Sequence, residues 1–367
     1  MAYFKLAPAS EKQVWSTKFL GDYVRTSGFE PYMGTGDNSI IRVNKDLTNQ
    51  NGTIVHIPYF AALTGDGVTD DTPLVGNEEA MNNYSIGIRA TLRRHAVAVT
   101  ENTEFRTDLD IVNVARGALR DNRAQALRKD LVKMGQGIVT PGALVDGSYA
   151  EDVVKAYADA SAAERNAYIT ANSDRVLFGD NKSQNTGVMS TSLSNITAGQ
   201  KLSVSTLNKA VAMYYNTSTI AMNPYRTDDR QGREWLVCFV GAEGYRDLSL
   251  DPLIQRANLD ARPRDVDTNP VFQGGDLVYG GVIIRRVQMD NVGAVGAAGT
   301  PVGNALLCGA NALGVAWAKT PEPRVDNRDY GHVHGVGILE IRGQTKLSVK
   351  GVQTGMVNIY HSATADL

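Results

Sequence analysis

Apolar residues recur with helical spacing over residues 100–134. Phe105, Leu109, Val112, Ala115, Leu119, Leu127 and Leu131 follow a period close to 3.6 residues. Thr100 stands as an N-cap, Glu101 and Glu104 fall in the first turn, and Lys133 falls in the last turn before Gly135-Gln136-Gly137. About 34 residues at ~1.5 Å each predict a rod of roughly 50 Å. Such a rod is about three times an average helix and longer than a small domain is wide, so it is expected to be the spine of an elongated molecule.

The pattern before the spine is extended. Residues 52–60 (Gly-Thr-Ile-Val-His-Ile-Pro-Tyr-Phe) are rich in β-branched positions and read as a strand. Residues 63–74 contain Gly65, Asp66, Gly67, Asp70, Asp71 and Pro73, which is turn chemistry. Residues 84–99 form the return leg, with Ile86, Ile88, Ala90 and Leu92 in alternation. A two-stranded hairpin is marginal by itself in water, so this one is expected to pack on something else, another subunit included. Residues 1–51 show little periodicity beyond Trp15, Phe19, Tyr23 and Val24 on one face of a short helix, and read as an arm that needs a surface to lie on.

Beyond the spine, helices are predicted at 150–158, 162–171 and 205–216, the last capped by Ser203 or Ser205, with 179–200 as a loop. The second half changes character. Residues 235–240 are a continuous apolar run and read as a buried strand. Helices near 242–248 and 252–261 flank it, and strands are predicted at 276–279, 281–287 and 305–307. Residues 206–324 thus read as one compact α/β domain. Three final strands, 336–341, 346–352 and 356–361, are expected to return to the spine and close its domain. No internal repeat or low-complexity tract interrupts this order.

Charge narrows the functional classes. The 367 residues are 43% hydrophobic, ample for a large core, and carry 37 Lys and Arg against 39 Asp and Glu, a net charge of −2. A dedicated DNA-binding protein would be basic, so any nucleic-acid contact is local or weak. Cys238 and Cys308, the only cysteines, each sit in an apolar run and read as buried thiols of a reducing compartment, with a disulfide between them left open. Residues 1–18 lack an apolar signal segment. The longest apolar stretch, 302–318, is broken by Gly303, Asn304, Gly309, Asn311 and Gly314 and falls short of the ~20 residues of a membrane span. A soluble protein of the cytoplasm, with no membrane partner and no cofactor, is expected.

Several segments together resemble a known family. They are 52–58 (Gly-Thr-Ile-Val-His-Ile-Pro), 63–67 (Leu-Thr-Gly-Asp-Gly), 74–80 (Leu-Val-Gly-Asn-Glu-Glu-Ala), 94–97 (Arg-His-Ala-Val), 173–179 (Ser-Asp-Arg-Val-Leu-Phe-Gly), 269–272 (Asn-Pro-Val-Phe) and 306–310 (Leu-Leu-Cys-Gly-Ala). In order and spacing, and with the sequence of arm, long hairpin, spine, α/β domain and returning strands, the chain resembles major capsid proteins of tailed double-stranded DNA bacteriophages, in the branch found in N-four-like short-tailed phages. The resemblance implies an α+β fold of the Hong Kong 97-like type. It implies an N-terminal arm (1–51), an extended hairpin or E-loop (52–99), a peripheral domain (100–205 and 325–367, with spine helix 100–134) and an axial domain (206–324). It also implies assembly of copies of the chain into hexamers and pentamers of an icosahedral head, located in the virion. The implied partners are a separate scaffolding protein, because the arm is too short to include one, a portal, a decoration protein, and packaged double-stranded DNA held by weak non-specific contact. The family carries no catalytic motif, and no residue pair here is marked for the Lys–Asn cross-link of some shells of this fold. The alternatives are an encapsulin-like compartment shell and, more remotely, an α/β enzyme using 206–324.

The candidate site residues are charged. Asp66, Asp70, Asp71, Glu78 and Glu79 make an acidic hairpin tip. No Glu stands at the twelfth position that an EF-hand would need, so the readings are a solvated turn or a latch onto a basic surface of a neighbour. Arg116, Arg120 and Arg123, at i, i+4 and i+7, share a stripe of the spine that could receive such a tip, against the plain reading of a solvated helix face with Asp121 and Asp130 as partners. Arg89, Arg93 and Arg94 at the hairpin base are candidates for DNA contact or, more simply, strand-edge salt bridges. His332 and His334 share one side of a strand without further ligands for zinc and read as surface histidines. Gly274-Gly275 and Gly280-Gly281 lack phosphate-loop spacing and bracket a hairpin, and neither G-x-S-x-G nor H-E-x-x-H occurs.

Overall fold

The computed structural model describes residues 28–45, 52–60, 67–69, 75–78, 83–106, 111–142, 144–145, 148–149, 151–217, 220–226, 234–260 and 277–365. Among these, β1 (Met33–Gly34) and β2 (Ile41–Asn44) precede the hairpin strands β3 (Ile54–Phe60) and β4 (Asn83–Arg89), and β5 (Thr91–Thr100) follows. Helices α1 (Glu101–Phe105) and α2 (Ile111–Gln136) lead into β6 (Ile138–Thr140), β7 (Leu144–Val145), β8 (Ser148–Tyr149) and β9 (Val153–Lys155). Next come α3 (Ala162–Ala171), β10 (Val176–Phe178), α4 (Met189–Ser194), α5 (Val204–Tyr215), β11 (Tyr225–Arg226), β12 (Glu234–Val240), α6 (Ala242–Ser249) and α7 (Pro252–Asp260). The chain closes with β13 (Leu277–Tyr279), β14 (Val282–Arg286), β15 (Val302–Cys308), β16 (Leu313–Arg328), β17 (Val333–Lys346), β18 (Ser348–Val349), β19 (Val352–Gln353) and β20 (Met356–Ser362).

Two sheets organise these elements. A five-stranded sheet has the order β1-β2-β16-β17-β5, and a seven-stranded sheet has the order β10-β20-β15-β12-β14-β13 with β11 paired to β12. Strand alternation explains the continuous apolar run of β12. Val237 and Phe239 face one core, which includes Leu127 and Leu131 of α2, while Leu236, Cys238 and Val240 face a second core beneath α5. The sheet is therefore buried on both sides. The first core also takes in Val315, Trp317, Val336 and Ile338 of the five-stranded sheet, so α2 lies against both sheets at once. Local chemistry sets several boundaries. Ser161 and Glu164 form a capping box on α3, Ser203 caps α5, and Gly280-Gly281, both at positive φ, turn β13 into β14.

The structure departs from the sequence pattern in four places. Residues 153–155 are strand β9 rather than part of a helix, because Val153 and Val154 pair with Thr140 and Val139 of β6. The spine is divided: α1 ends at Phe105 with a turn at Arg106, and α2 has 26 residues, about 39 Å at ~1.5 Å each. The polar segment 179–200 contains α4, seated through buried Met189 and Leu193. Of the last three strands, β17 packs along α2 and β20 meets its end, where Asn358 Nδ2 donates to the Gly135 carbonyl at 3.2 Å, but residues 348–353 form a tight hairpin and β20 lies between β10 and β15 of the other sheet. Cys238 and Cys308 are both free thiols. Cys238 is in register with Leu307, not Cys308, and the two belong to different cores, which rules out a bond between them. No described helix is long and apolar enough to cross a membrane.

A buried polar knot sits where α2 ends. Lys346 is 1% exposed, and its Nζ donates to the Gly137 carbonyl at 2.9 Å, with Gln353 Oε1 at 3.2 Å and Tyr168 Oη and Asn358 Oδ1 at 3.4 Å. Burial pulls the ammonium down to about 7, the neighbouring Cys308 opposing it. An unfolded chain keeps that proton to about pH 10.4, so between roughly 7 and 10 the unfolded state binds more protons and stability rises with pH. Below about 7 both states are charged and the penalty of the buried ammonium is fully present. Denaturant unfolding of the unassembled protein should therefore show a pH dependence steeper than that of Lys346→Met by up to about 1.4 kcal/mol per pH unit across that window. Parallel curves for the two proteins would show that Lys346 does not titrate there.

Candidate assembly surface

The hairpin of β3 and β4 is paired in register from Ile54↔Arg89 to Phe60↔Asn83. Its inward residues Val55, Ile57, Ile86 and Ile88 pack on Ala316, Leu347 and Val349 of the same chain. The hairpin does pack on something else, as expected, but at its base that surface belongs to the same chain rather than to another subunit: β16 and the segment at Leu347 and β18 supply it. Lys350, at the turn between β18 and β19, lies over the ring of Tyr84, 5.5 Å from its centroid.

The hairpin chain continues as β5, which is the edge of the five-stranded sheet beside β17. Register places Glu340 opposite Arg93 and Ile338 opposite His95. On this face β17 carries Val336, Ile338, Glu340 and Arg342, all buried, so two charged residues occupy positions that the alternation reserves for the core. They are held by ion pairs reaching across three elements. Arg342 Nη2 meets Asp130 of α2 at 2.6 Å, and its Nε meets Glu340 at 3.1 Å. Arg93 of β5 pairs with the same Asp130, and Arg123 of α2 approaches Glu340 at 3.7 Å. Three guanidiniums and two carboxylates thereby tie spine helix, hairpin strand and β17 together.

β16 and β17 form a long hairpin of their own. At its tip Asp329 and Tyr330 both adopt positive φ (52° and 54°), a conformation unfavourable for side chains of their kind, and Tyr330 stands fully exposed. Val325, on β16 near this tip, is more than half exposed, as is Leu92 toward the other end of β5. His332 approaches Glu101 at 4.0 Å, and His334 Nδ1 lies 3.0 Å from Asn327 Oδ1. Among the described residues no group of three His, Cys, Asp or Glu side chains is placed to hold a metal.

The residues singled out from sequence fall into three groups. Asp66, Asp70, Asp71 and Glu79 lie outside the described residues; Glu78 is exposed and accepts the Gly76 N–H at 2.8 Å. Arg116 and Arg123 fall on the same side of α2 as Leu119 and Leu127 and are half-buried. Arg120 Nε meets Asp121 at 3.1 Å. The stripe is therefore not a uniform solvated face: Arg123 turns under the helix to Glu340, and Asp130 serves β5 and β17 rather than a helix neighbour. Arg93 is the ion-paired member of its trio, while Arg89 and Arg94 are exposed. Glu340 and Arg342 were missed from sequence, although two charges two residues apart in an otherwise inward-facing row were the available signal.

A spine helix shared by two sheets, a hairpin preceding it and a second long hairpin with a projecting tip make this a Hong Kong 97-like capsid subunit fold. A similarity to the capsid asymmetric unit of cyanophage Pam1 covers 100% of both chains at 36% identity, with a TM-score of 0.82. The capsid of Ralstonia phage GP4 is similar over 92% of each chain, at 20% identity and a TM-score of 0.70. The "Major capsid protein" of Pseudomonas phage KPP25 is 28% identical over 376 residues, covering 96% of this chain and 95% of that one. The pattern for the family described as "Phage capsid protein" matches residues 6–365, and the chain belongs to that family.

Removing one partner from a buried ion cluster leaves a charge uncompensated, at a cost of about 3–5 kcal/mol. Glu340→Ala should lower the urea unfolding free energy of the unassembled protein by about that much. Arg93→Gln, whose side chain is 30% exposed, should cost clearly less. Equal losses for the two would contradict the view that Glu340 is the cluster's centre.

Proposed function

We propose that this chain is the major capsid protein of a tailed double-stranded DNA phage, whose copies assemble as hexamers and pentamers into the icosahedral head. The observation that carries the reading is the end-to-end similarity to the cyanophage Pam1 capsid unit. The same reading divides the chain into an arm (1–51), an E-loop (52–99), a peripheral domain (100–205 and 325–367) and an axial domain (206–324). A structural shell role, rather than catalysis, accounts for charges spent on tying elements together. A scaffolding protein, a portal, a decoration protein and DNA are its proposed partners, with assembly in the host cytoplasm.

The proposed lock between subunits places the acidic tip Asp66 to Asp71, with Glu78 and Glu79, against Arg116 and Arg120 of a neighbour. Arg123 is left out because it turns under the helix to the buried Glu340, whereas the partner of Arg120, Asp121, is itself exposed. Each exposed pair contributes only ~0–1 kcal/mol, yet repetition over a shell makes the sum decisive and salt-sensitive. Arg116→Glu with Arg120→Glu should abolish shells in negative-stain micrographs while sedimentation and circular dichroism show a folded subunit. Normal shells from that variant would remove the lock. A wild-type protein that stays monomeric with and without a scaffolding partner would remove the capsid reading itself.

A further inference from the structure

His361 is a buried titratable side chain that neither the ion cluster nor the polar knot at Lys346 uses. It stands near the end of β20, 3% exposed, directly opposite Gly303 of β15. Its ring fills space that two glycines leave open. A Cβ at Gly303 would lie 2.9 Å from His361 Cε1, and a Cβ at Gly244 of α6 would lie 2.9 Å from the same atom. The imidazole therefore sits in the seam between α6 and the seven-stranded sheet, and α6 approaches the sheet as closely as that ring allows. Nδ1 lies 3.0 Å from the Ser362 carbonyl, which only accepts, so the neutral ring donates there and leaves Nε2 bare beside the two glycines.

The charged groups around this ring come from α6 and from the segment at Lys201. Asp247 follows Gly244 by three residues, on the same side of α6, and Glu243 precedes Gly244. Asp247 is buried, and its Oδ1 meets Arg246 at 2.9 Å and Lys201 at 3.8 Å. Its Oδ2, also buried, has no hydrogen-bond partner among the described residues. Lys201 is bridged to Ser362, and Arg246 donates to the Thr364 carbonyl at 2.9 Å. β15 brings no charged side chain. Burial holds the imidazole below its ordinary range, while the Ser362 carbonyl, Asp247 and Glu243 oppose that shift.

We propose that His361 is an acid-sensitive pin between α6 and the seven-stranded sheet: a proton gained at Nε2 re-pairs the ring with Asp247 and lifts α6 from its seat. The bare nitrogen becomes a donor that finds only glycine beside it, and a buried donor without an acceptor is costly. Asp247 Oδ2 is the buried acceptor on the facing helix that stands without a partner among the described residues. The seam holds the ring only where the glycines leave room, so a new pair with Asp247 requires α6 to shift. At neutral pH Asp247 serves Arg246 and Lys201; in mild acid the imidazolium competes with them for the same carboxylate. Through Leu248, α6 closes part of the second core, which among the described residues contains none of α2. The loosening is therefore local, and it concerns a single subunit whether or not that subunit builds a shell.

An unfolded imidazole titrates at about 6.5, so the stability lent by the neutral ring is full above that pH and is lost as pH falls through the lower folded value. The test is hydrogen exchange read by mass spectrometry on the full-length unassembled protein, from about pH 7.5 to about pH 4.5, corrected for the intrinsic exchange rate. Protection of α6, residues 242–249, should fall below about pH 6.5 by up to about tenfold per pH unit, while protection of α2 holds. In His361→Gln, which gains no proton, protection of α6 should stay level over the same range. In Asp247→Asn, which removes the anion that the imidazolium seeks, the fall should begin at lower pH. Level protection in the wild type, an equal fall in His361→Gln, or a fall spread equally over α2 would overturn the pin. If His361→Gln does not fold, Asp247→Asn decides, and a midpoint unmoved from the wild type overturns it.

Discussion

The ion cluster between α2 and β17 fixes where the longest elements of this subunit lie. Asp130 holds Arg93 and Arg342, and Glu340 holds Arg342 and Arg123, so helix, hairpin strand and sheet share one set of contacts. Such a cluster adds little net stability over a well-packed apolar core, because desolvating five charges offsets most of their attraction. Its Glu340 Oε2 even finds no hydrogen-bond partner among the described residues. What it confers is register: apolar side chains let a helix slide along a sheet, whereas paired charges in low dielectric allow one position. For long elements that meet at one place in the subunit, that single position matters more than additional stability.

The division of the molecule follows from the same helix. α2 covers the five-stranded sheet with one part of its apolar face and the seven-stranded sheet with another, and Leu306 and Met356 close over its end near Gly135. The seven-stranded sheet is buried on both faces and resists deformation. The hairpin β16–β17 is anchored at its base and projects to an exposed tip at Tyr330, while the paired strands of β3–β4 lie on a small core of their own with β16 and β18. Rigid centre and projecting tip are thus two outcomes of one arrangement of apolar surface.

Much of this was legible in the sequence where the determinants are local. The helix at 162–171 was expected where α3 lies, the apolar run of β12 marked a buried strand, and the leucine spacing marked α2. Long-range determinants were not legible. Asp130 and Arg342 are 212 residues apart, so Asp130 looked like a partner for its own helix. Val153 and Val154 became a strand because Val139 and Thr140 offered a partner. The hairpin base seemed unsupported because its support, Leu347 and Val349, lies near the other end of the chain. Of the candidate site, the charged residues could be found one by one, but which of them face inward was decided by pairing across the sheet.

The placement of the two thiols has a consequence for the life cycle of a particle. Cys238 and Cys308 sit on opposite faces of one sheet, both buried, and burial pushes both thiols well above their usual range, Cys238 to about 12. Neither offers a thiolate to an oxidant, and neither can reach the other. For a head made of such subunits, passage from the reducing interior of a cell to an aerated medium leaves these two thiols as they were at assembly.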